Sequence, residues 1–182
     1  MNFLNLFNNK KKVYKHIFFD LDRTLWDFEQ NMRITLEEIY EKYNLGSNFP
    51  SFNIFIETFN SHNHRLWEEY RKGDLKKEIL RWKRFELTLK DFGLSSKDLA
   101  EKIGEEYVNE SPKKTALIPH TIEILEYLFE KKYQLHIITN GFNEVQFTNF
   151  GMDQIFFNPE SIPHNEKVTH QIKSLIELKE IL

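Results

Sequence analysis

The sequence predicts an α/β fold, a Rossmann-like parallel sheet with a helical cap inserted after the first strand. Three observations carry this expectation. Two short runs rich in Ile and Phe, VYKHIFFD (13–20) and YQLHIITNG (133–141), end abruptly at polar residues, as strands covered on both faces do. The long stretch between them shows helical periodicity and almost no strand signal. A helix pattern then leads straight into the second run, which completes a right-handed crossover onto the first.

The elements follow in order. MNFLNLFNNKKKV puts its few apolar residues ahead of its positive charges, the reverse of a secretory leader, and is too short to span a bilayer. It reads as a ragged approach to the first strand. NMRITLEEIYEKYNLG, FNIFIETFNSHNHRLWEEYRKGDL, KKEILRWKRFELTLKDFGL and SSKDLAEKIGEEYVNES form four helical segments. They close at Gly46, at Gly73 and Asp74, at Gly93, and at Ser111 and Pro112. Four helices exceed what a crossover needs, so they are expected to form a subdomain of their own. In PHTIEILEYLFEKK, Pro119 punctuates, Thr121 suits an N-cap, and Ile122, Leu125 and Leu128 form an inward stripe. FNEVQFTNF reads as a short helix, MDQIFFN as a weak strand, and VTHQIKSLIELKEIL as a final amphipathic helix. The expected organisation is residues 1–28 as the first part of the core, 29–115 as the cap and 116–182 as the second part of the core.

Composition bounds the function. With 182 residues, 40% of them hydrophobic, the chain can bury a real core. A net charge of −3 with scattered basic residues gives no bulk reason to expect nucleic acid or an acidic membrane as partner. The absence of cysteine excludes disulfides and thiolate metal sites and suits a cytoplasmic setting.

The chemistry gathers at the two strand ends. In an open parallel sheet, ligands bind beyond the carboxyl ends of the strands. Asp20 and Asp22 follow the first strand, and Thr139, Asn140 and Gly141 follow the second. If the strands are neighbours, two carboxylates share a crevice with a hydroxyl and backbone N–H groups. That set suits phosphoryl transfer: a carboxylate nucleophile, a second carboxyl for proton traffic, and donors for phosphoryl oxygens. Two carboxylates and a phosphate repel one another, so a hard cation such as Mg²⁺ and a lysine are expected beside them.

The motifs DLDRT and IITNG, with a cap-sized helical insertion between them, resemble the haloacid dehalogenase-like hydrolases. IFFDLDRTLWDFEQN and LHIITNGFNEVQ look closest to the pyrimidine 5′-nucleotidase branch of that superfamily. The similarity runs from about residue 13 to 157. The resemblance implies that Asp20 is the nucleophile forming an aspartyl-phosphate and also a Mg²⁺ ligand. It makes Asp22 the acid that protonates the leaving alkoxide and then activates water, its backbone carbonyl touching the metal. Thr139, Asn140 and Gly141 would hold the phosphoryl group. Because an acid at the position of Asp22 is not needed for a halide leaving group, phosphate ester cleavage is the favoured reaction.

Two of the family's motifs are less complete. Lys167 lies 28 residues after Thr139, and NEKVTHQI can be laid on the usual Lys-Pro-Asn-x-x-Ile pattern without its proline. It reads as the phosphate-binding lysine or, equally, as a solvated lysine at a helix start. After Lys167 no strand ending in Asp follows, so the chain reads as C-terminally shortened, lacking a metal carboxylate and two core strands. In the family's 5-4-1-2-3 strand order, HIFFD would then be an uncovered edge open to self-association.

The expected activity is that of a Mg²⁺-dependent phosphomonoesterase acting on small phosphorylated metabolites, foremost nucleoside 5′-monophosphates. The alternative is a catalytically impaired homologue that only binds ligands or proteins. Elsewhere, His62 and His64 read as inter-helix polar surface, with no obvious carboxylate beside them. Trp67, Tyr70, Trp82, Phe85 and Leu89 read as the cap's own core, and Trp26 and Phe28 as packing at the cap hinge.

Overall fold

The computed structural model describes residues 14–137, 153–164 and 168–182. The chain divides into two compact units, one of Met1–Leu25 with Leu117–Leu182 and one of Trp26–Ala116.

The second unit is helical: α1 (Phe28–Lys42), α2 (Phe52–Lys72), α3 (Lys77–Lys90) and α4 (Lys97–Glu110). Three of these helices start where a short polar side chain can accept a backbone N–H. Asp27 accepts from Gln30, Ser51 from Ile54 and Ser96 from Leu99. α2 stops at Gly73, whose φ of 85° is a left-handed conformation glycine adopts without a Cβ penalty. α1 starts three residues earlier than the periodicity of NMRITLEEIYEK suggests, because Asp27 supplies the cap and Phe28 packs against the core.

Apolar residues at helical spacing fill the interior: Leu36 and Ile39 from α1, Phe55 and Phe59 from α2, Phe85 and Leu89 from α3, Ile103 from α4. Each such side chain contributes roughly 1.5–3 kcal/mol through burial. Phe85 and Leu89 are core, as expected. Trp67, Tyr70 and Trp82 are not members of that cluster and lie half-buried. Trp67 and Tyr70 meet edge to face at 5.7 Å, and Lys83 and Lys97 lie over the Trp82 ring. Large amphipathic rings satisfy helical spacing equally well at the margin of a core, which is why periodicity misplaced them. α3 and α4 touch at Gly104, where a Cβ would meet the Arg81 carbonyl oxygen at 2.8 Å and the Trp82 Cα at 2.9 Å.

The two ends of the helical unit are tied together. The buried Asn31 donates from Nδ2 to the Ala116 carbonyl at 2.8 Å and accepts at Oδ1 from the Ala116 N–H at 2.9 Å. The Asp27 N–H donates to the same carbonyl at 3.0 Å, and Trp26 Nε1 donates to the Lys114 carbonyl at 2.9 Å. Trp26 thus packs where the insertion opens, with Phe28 edge to face at 6.2 Å.

The other unit carries β1 (His16–Phe19), α5 (Thr121–Glu130), β2 (Gln134–Ile137), β3 (Ile155–Phe157), β4 (His170–Ile172) and α6 (Leu178–Ile181). β1 and β2 are parallel neighbours with Phe19 opposite Ile137, and β3 and β4 form a second parallel pair with Phe157 opposite Ile172. The α/β class and the parallel pairing of the two apolar runs are as the sequence predicts. Ile17, Phe19 and Leu135 pack with α5 through Ile124 and Leu128, while His16, Phe18 and His136 form the opposite face. On that face His16 Nδ1 and His136 Nε2 lie 3.0 Å apart.

Two expectations are corrected here. α5 is capped by His120 in a left-handed conformation, and its inward residues are Ile124 and Leu128, with Leu125 half-buried and Ile122 exposed. Thr121 lies inside the first turn, its hydroxyl donating to the Leu25 carbonyl at 3.1 Å. The final segment is not one amphipathic helix. It contains strand β4, which pairs with β3, and a helical turn begins only at Ser174, where Ser174 and Glu177 form a capping box. Leu175 and Leu178 then join the core. The expected helix FNEVQFTNF lies outside the described residues.

Candidate active site

The carboxyl end of β1 opens into a tight loop. Leu25 closes it: its N–H donates to the Leu21 carbonyl at 3.0 Å, its side chain is buried, and its carbonyl accepts from the Ile118 N–H at 3.0 Å. Arg23 takes φ = 64°, a conformation that costs a non-glycine residue free energy unless its surroundings hold it there. With Phe19 buried before the loop and Leu25 buried after it, the side chains between them are left facing solvent or half-exposed. These include Asp20 and Asp22, both exposed to solvent, although protein surrounds part of the Asp22 carboxyl.

Thr24 Oγ1 donates to Asp20 Oδ2 at 3.1 Å. This bond fixes one carboxylate oxygen and leaves the other for a ligand. The threonine of the DLDRT motif thereby has a physical task that its position four residues after Asp20 could have suggested. Partial burial pushes the Asp22 carboxyl above the usual aspartate range, the neighbouring Asp20 carboxylate adds to that rise, and the Arg23 guanidinium partly opposes it. The two aspartates therefore have different surroundings: Asp20 is oriented by a hydroxyl, and the Asp22 carboxyl is raised above its ordinary pKa.

Thr139, Asn140, Gly141 and Lys167 lie outside the described residues. In sequence, Thr139 stands two residues after Ile137, the β2 residue paired with Phe19.

The donor chemistry of Asp20 and Asp22 fits a hard divalent cation. Both offer oxygen, and burial together with repulsion from Asp20 raises the pKa of Asp22, the repulsion being a cost that a cation would relieve. Among the described residues no group of three or more His, Asp or Glu side chains converges, so water would fill much of such an ion's coordination shell. The histidines of the helical unit have carboxylate partners that the sequence did not reveal. His62 Nε2 lies 2.8 Å from Asp91 Oδ2, and His64 Nδ1 lies 3.9 Å from Glu68 Oε1. Among the described residues neither forms a metal cluster. Among the described residues, no helix is long and apolar enough to cross a membrane.

A family model described as "Hydrolase: haloacid dehalogenase-like hydrolase" matches residues 14–182. The chain belongs to the haloacid dehalogenase-like hydrolases. Among curated relatives, this haloacid dehalogenase-like chain is 25% identical over 137 residues to the HAD-hydrolase YfnB of Bacillus subtilis (strain 168), covering 75% of this chain and 55% of YfnB. It is 24% identical over 133 residues to the pyrimidine 5′-nucleotidase PynA of Streptococcus pneumoniae (strain ATCC BAA-255 / R6), covering 73% of this chain and 54% of PynA. The chain thus spans about half the length of these curated relatives.

Among solved structures, that of magnesium-bound YfnB superposes with a TM-score of 0.78 at 19% identity, over 93% of this chain and 99% of that one. A 2-haloacid dehalogenase from Pseudomonas syringae pv. tomato DC3000 superposes with a TM-score of 0.52 at 18% identity, over 93% and 98% of the two chains. At these identities the likeness is one of fold.

Proposed function

We propose that this haloacid dehalogenase-like hydrolase is a Mg²⁺-dependent phosphomonoesterase of small phosphorylated metabolites, nucleoside 5′-monophosphates first among them. The observation that carries this reading is the pair of carboxyls at the end of β1, an Asp20 oriented by Thr24 beside an Asp22 whose pKa is raised by burial and by the Asp20 charge. The similarity to a protein named a pyrimidine 5′-nucleotidase supports the substrate class.

In the proposed reaction the free Asp20 oxygen attacks phosphorus, and the bond from phosphorus to the ester oxygen breaks. Asp22 gives its proton to the departing alkoxide, leaving an aspartyl-phosphate. Asp22, now a carboxylate, takes a proton from water as that water attacks phosphorus, which releases phosphate and restores Asp20. Thr139, Asn140, Gly141 and Lys167 are proposed to hold the phosphoryl oxygens. Mg²⁺, held by Asp20 and by the backbone carbonyl of Asp22, would offset the charge of the phosphate as the carboxylate approaches. In this proposal residues 29–115 act as the cap, and residues 1–28 with 116–182 supply the chemistry.

One observation favours a second reading, a homologue that binds ligands without turnover: no third carboxylate joins Asp20 and Asp22 among the described residues. One experiment separates the two. Phosphate release is measured from an aryl phosphate and from a panel of nucleoside monophosphates with and without Mg²⁺, using Asp20→Asn as control. Mg²⁺-dependent release that vanishes in Asp20→Asn is expected. No release from folded wild-type protein would overturn the phosphomonoesterase reading and leave the binding role.

A further inference from the structure

The helical unit buries a guanidinium that no counter-ion meets. Arg84 on α3 is only 6% exposed. Its Cζ lies 4.6 Å from the centre of the Tyr107 ring, 5.5 Å from that of Phe85 and 5.6 Å from that of Phe59. Its polar partners are neutral acceptors: Nε donates to the Arg81 carbonyl at 3.3 Å, and Nη1 donates to Asn63 Oδ1 at 3.0 Å. Among the described residues no carboxylate pairs with it. Burial holds its pKa below the ordinary arginine value, with Tyr107 opposing and the neighbouring Arg81 cation adding to the fall.

The donor inventory locates the uncommitted edge. A guanidinium has five N–H groups, and the two bonds above use two of them. Among the described residues Nη2 has no hydrogen-bond partner, yet no buried side-chain nitrogen or oxygen among them lacks one. Nη2 therefore reaches the surface of the unit while the rest of the group stays in its aromatic cage. A buried cation without a counter-ion is costly, and an apolar side chain of similar volume would fill the same cage without that cost. The planar fork, by contrast, matches the paired oxygens of a carboxylate or phosphate, and aromatic packing on its faces holds it ready for them.

We propose that the surface edge of the Arg84 guanidinium, held by Phe59, Phe85, Tyr107 and Asn63, is an anion-binding site on the helical unit that receives one oxyanion group, phosphate or carboxylate, of a small ligand. The site stands whether or not Asp20 turns over phosphate esters.

The test follows the arginine side-chain Nε–H resonances of the full chain while inorganic phosphate, and separately succinate, is added. Loss of one resonance in Arg84→Met identifies the Arg84 signal. That signal is expected to shift saturably with at least one anion, and to do so equally in Asp20→Asn, which distinguishes it from phosphate held near the β1 loop. Thermal melts of Asp20→Asn are expected to rise with the same anion, and adding Arg84→Met should weaken this effect roughly ten- to a hundredfold in concentration. A shift with phosphate alone assigns the group as phosphate, and one with succinate alone as carboxylate. An Arg84 resonance that moves with neither overturns the proposal, and this readout on the wild-type side chain decides even if Arg84→Met does not fold, its signal then assigned through the backbone.

Discussion

Replacing Asn31 by leucine tests the tie between the ends of the helical unit. The side chain is fully buried and exchanges two hydrogen bonds with the Ala116 peptide group at 2.8 and 2.9 Å. Leucine has similar bulk and can make neither. The Ala116 carbonyl would keep its bond from the Asp27 N–H, whereas the Ala116 N–H would lose its partner in a half-buried position. A stranded N–H costs roughly 1–3 kcal/mol and the second lost bond about 1 kcal/mol. The additional apolar burial of leucine returns about 1 kcal/mol. The expected loss is therefore about 2 kcal/mol, or a fall in Tm of about 4–8 °C for a chain of this size. Urea unfolding followed by far-UV circular dichroism would show the midpoint falling by roughly 1 M with little change in slope. Asn31→Asp keeps the acceptor but turns a second, charged oxygen toward the Ala116 carbonyl, so it should lose more. A leucine variant within about 0.5 kcal/mol of wild type would refute the assignment of these bonds as the tie.

Three further expectations rest on other sites. Gly104→Ala gains up to about 1 kcal/mol of helix propensity but drives a methyl against the backbone of α3, and a net loss of roughly 1–2 kcal/mol should appear in a thermal melt. Asp22 has a folded pKa above its unfolded value, so its contribution is most favourable below the unfolded pKa and is lost as pH rises through the folded one. Asp22→Asn should accordingly melt above wild type at pH 7, with the gap closing as pH falls toward 4, while phosphate release is abolished. Burial and the hydrogen bond to Glu106 push the Tyr43 phenol up to about 12. In Glu106→Gln a spectrophotometric titration should show one tyrosine moving down toward 10.

The two strands and the aspartate loop were legible because their signals are local. An apolar run that stops at DLD can be read without knowing what it packs against, and β1 and β2 lie where HIFF and QLHI place them. The helices of the insertion were legible through their caps and glycines. What periodicity could not decide was which side of a face turns inward. On α5, Ile122 and Ile124 both suit an inward position by spacing, and only the β1 and β2 side chains beneath the helix select Ile124. The C-terminal segment misled for a related reason: VTHQI reads as part of an amphipathic helix until β3 is there to pair with it. Its capping box at Ser174 and Glu177 did mark the point where helix begins. Arg84 escaped notice because a charge in KKEILRWKRFELTLKDFGL reads as solvated, although its spacing of four from Leu80 and Thr88 puts it on the inward stripe. The raised pKa of Asp22 depends on burial and on distance through space, which a linear pattern does not contain.

The closure of the helical insertion on itself bears on how fast the chain folds. β1 and β2 must find each other across 118 residues, from Phe19 to Ile137, and parallel pairing over such separations is slow because the intervening loop must close before any contact repays it. The insertion is one continuous segment, Trp26–Ala116, with its own core and its two ends already joined by the hydrogen bond from Asp27 to Ala116. Once it has formed, the loop that the strands must close shortens to roughly thirty residues, which lowers the entropic cost of the search by about 1 kcal/mol. The insertion thereby acts as a chain-shortening clasp, and loosening it at Asn31 should slow refolding of the sheet as well as weaken the native state.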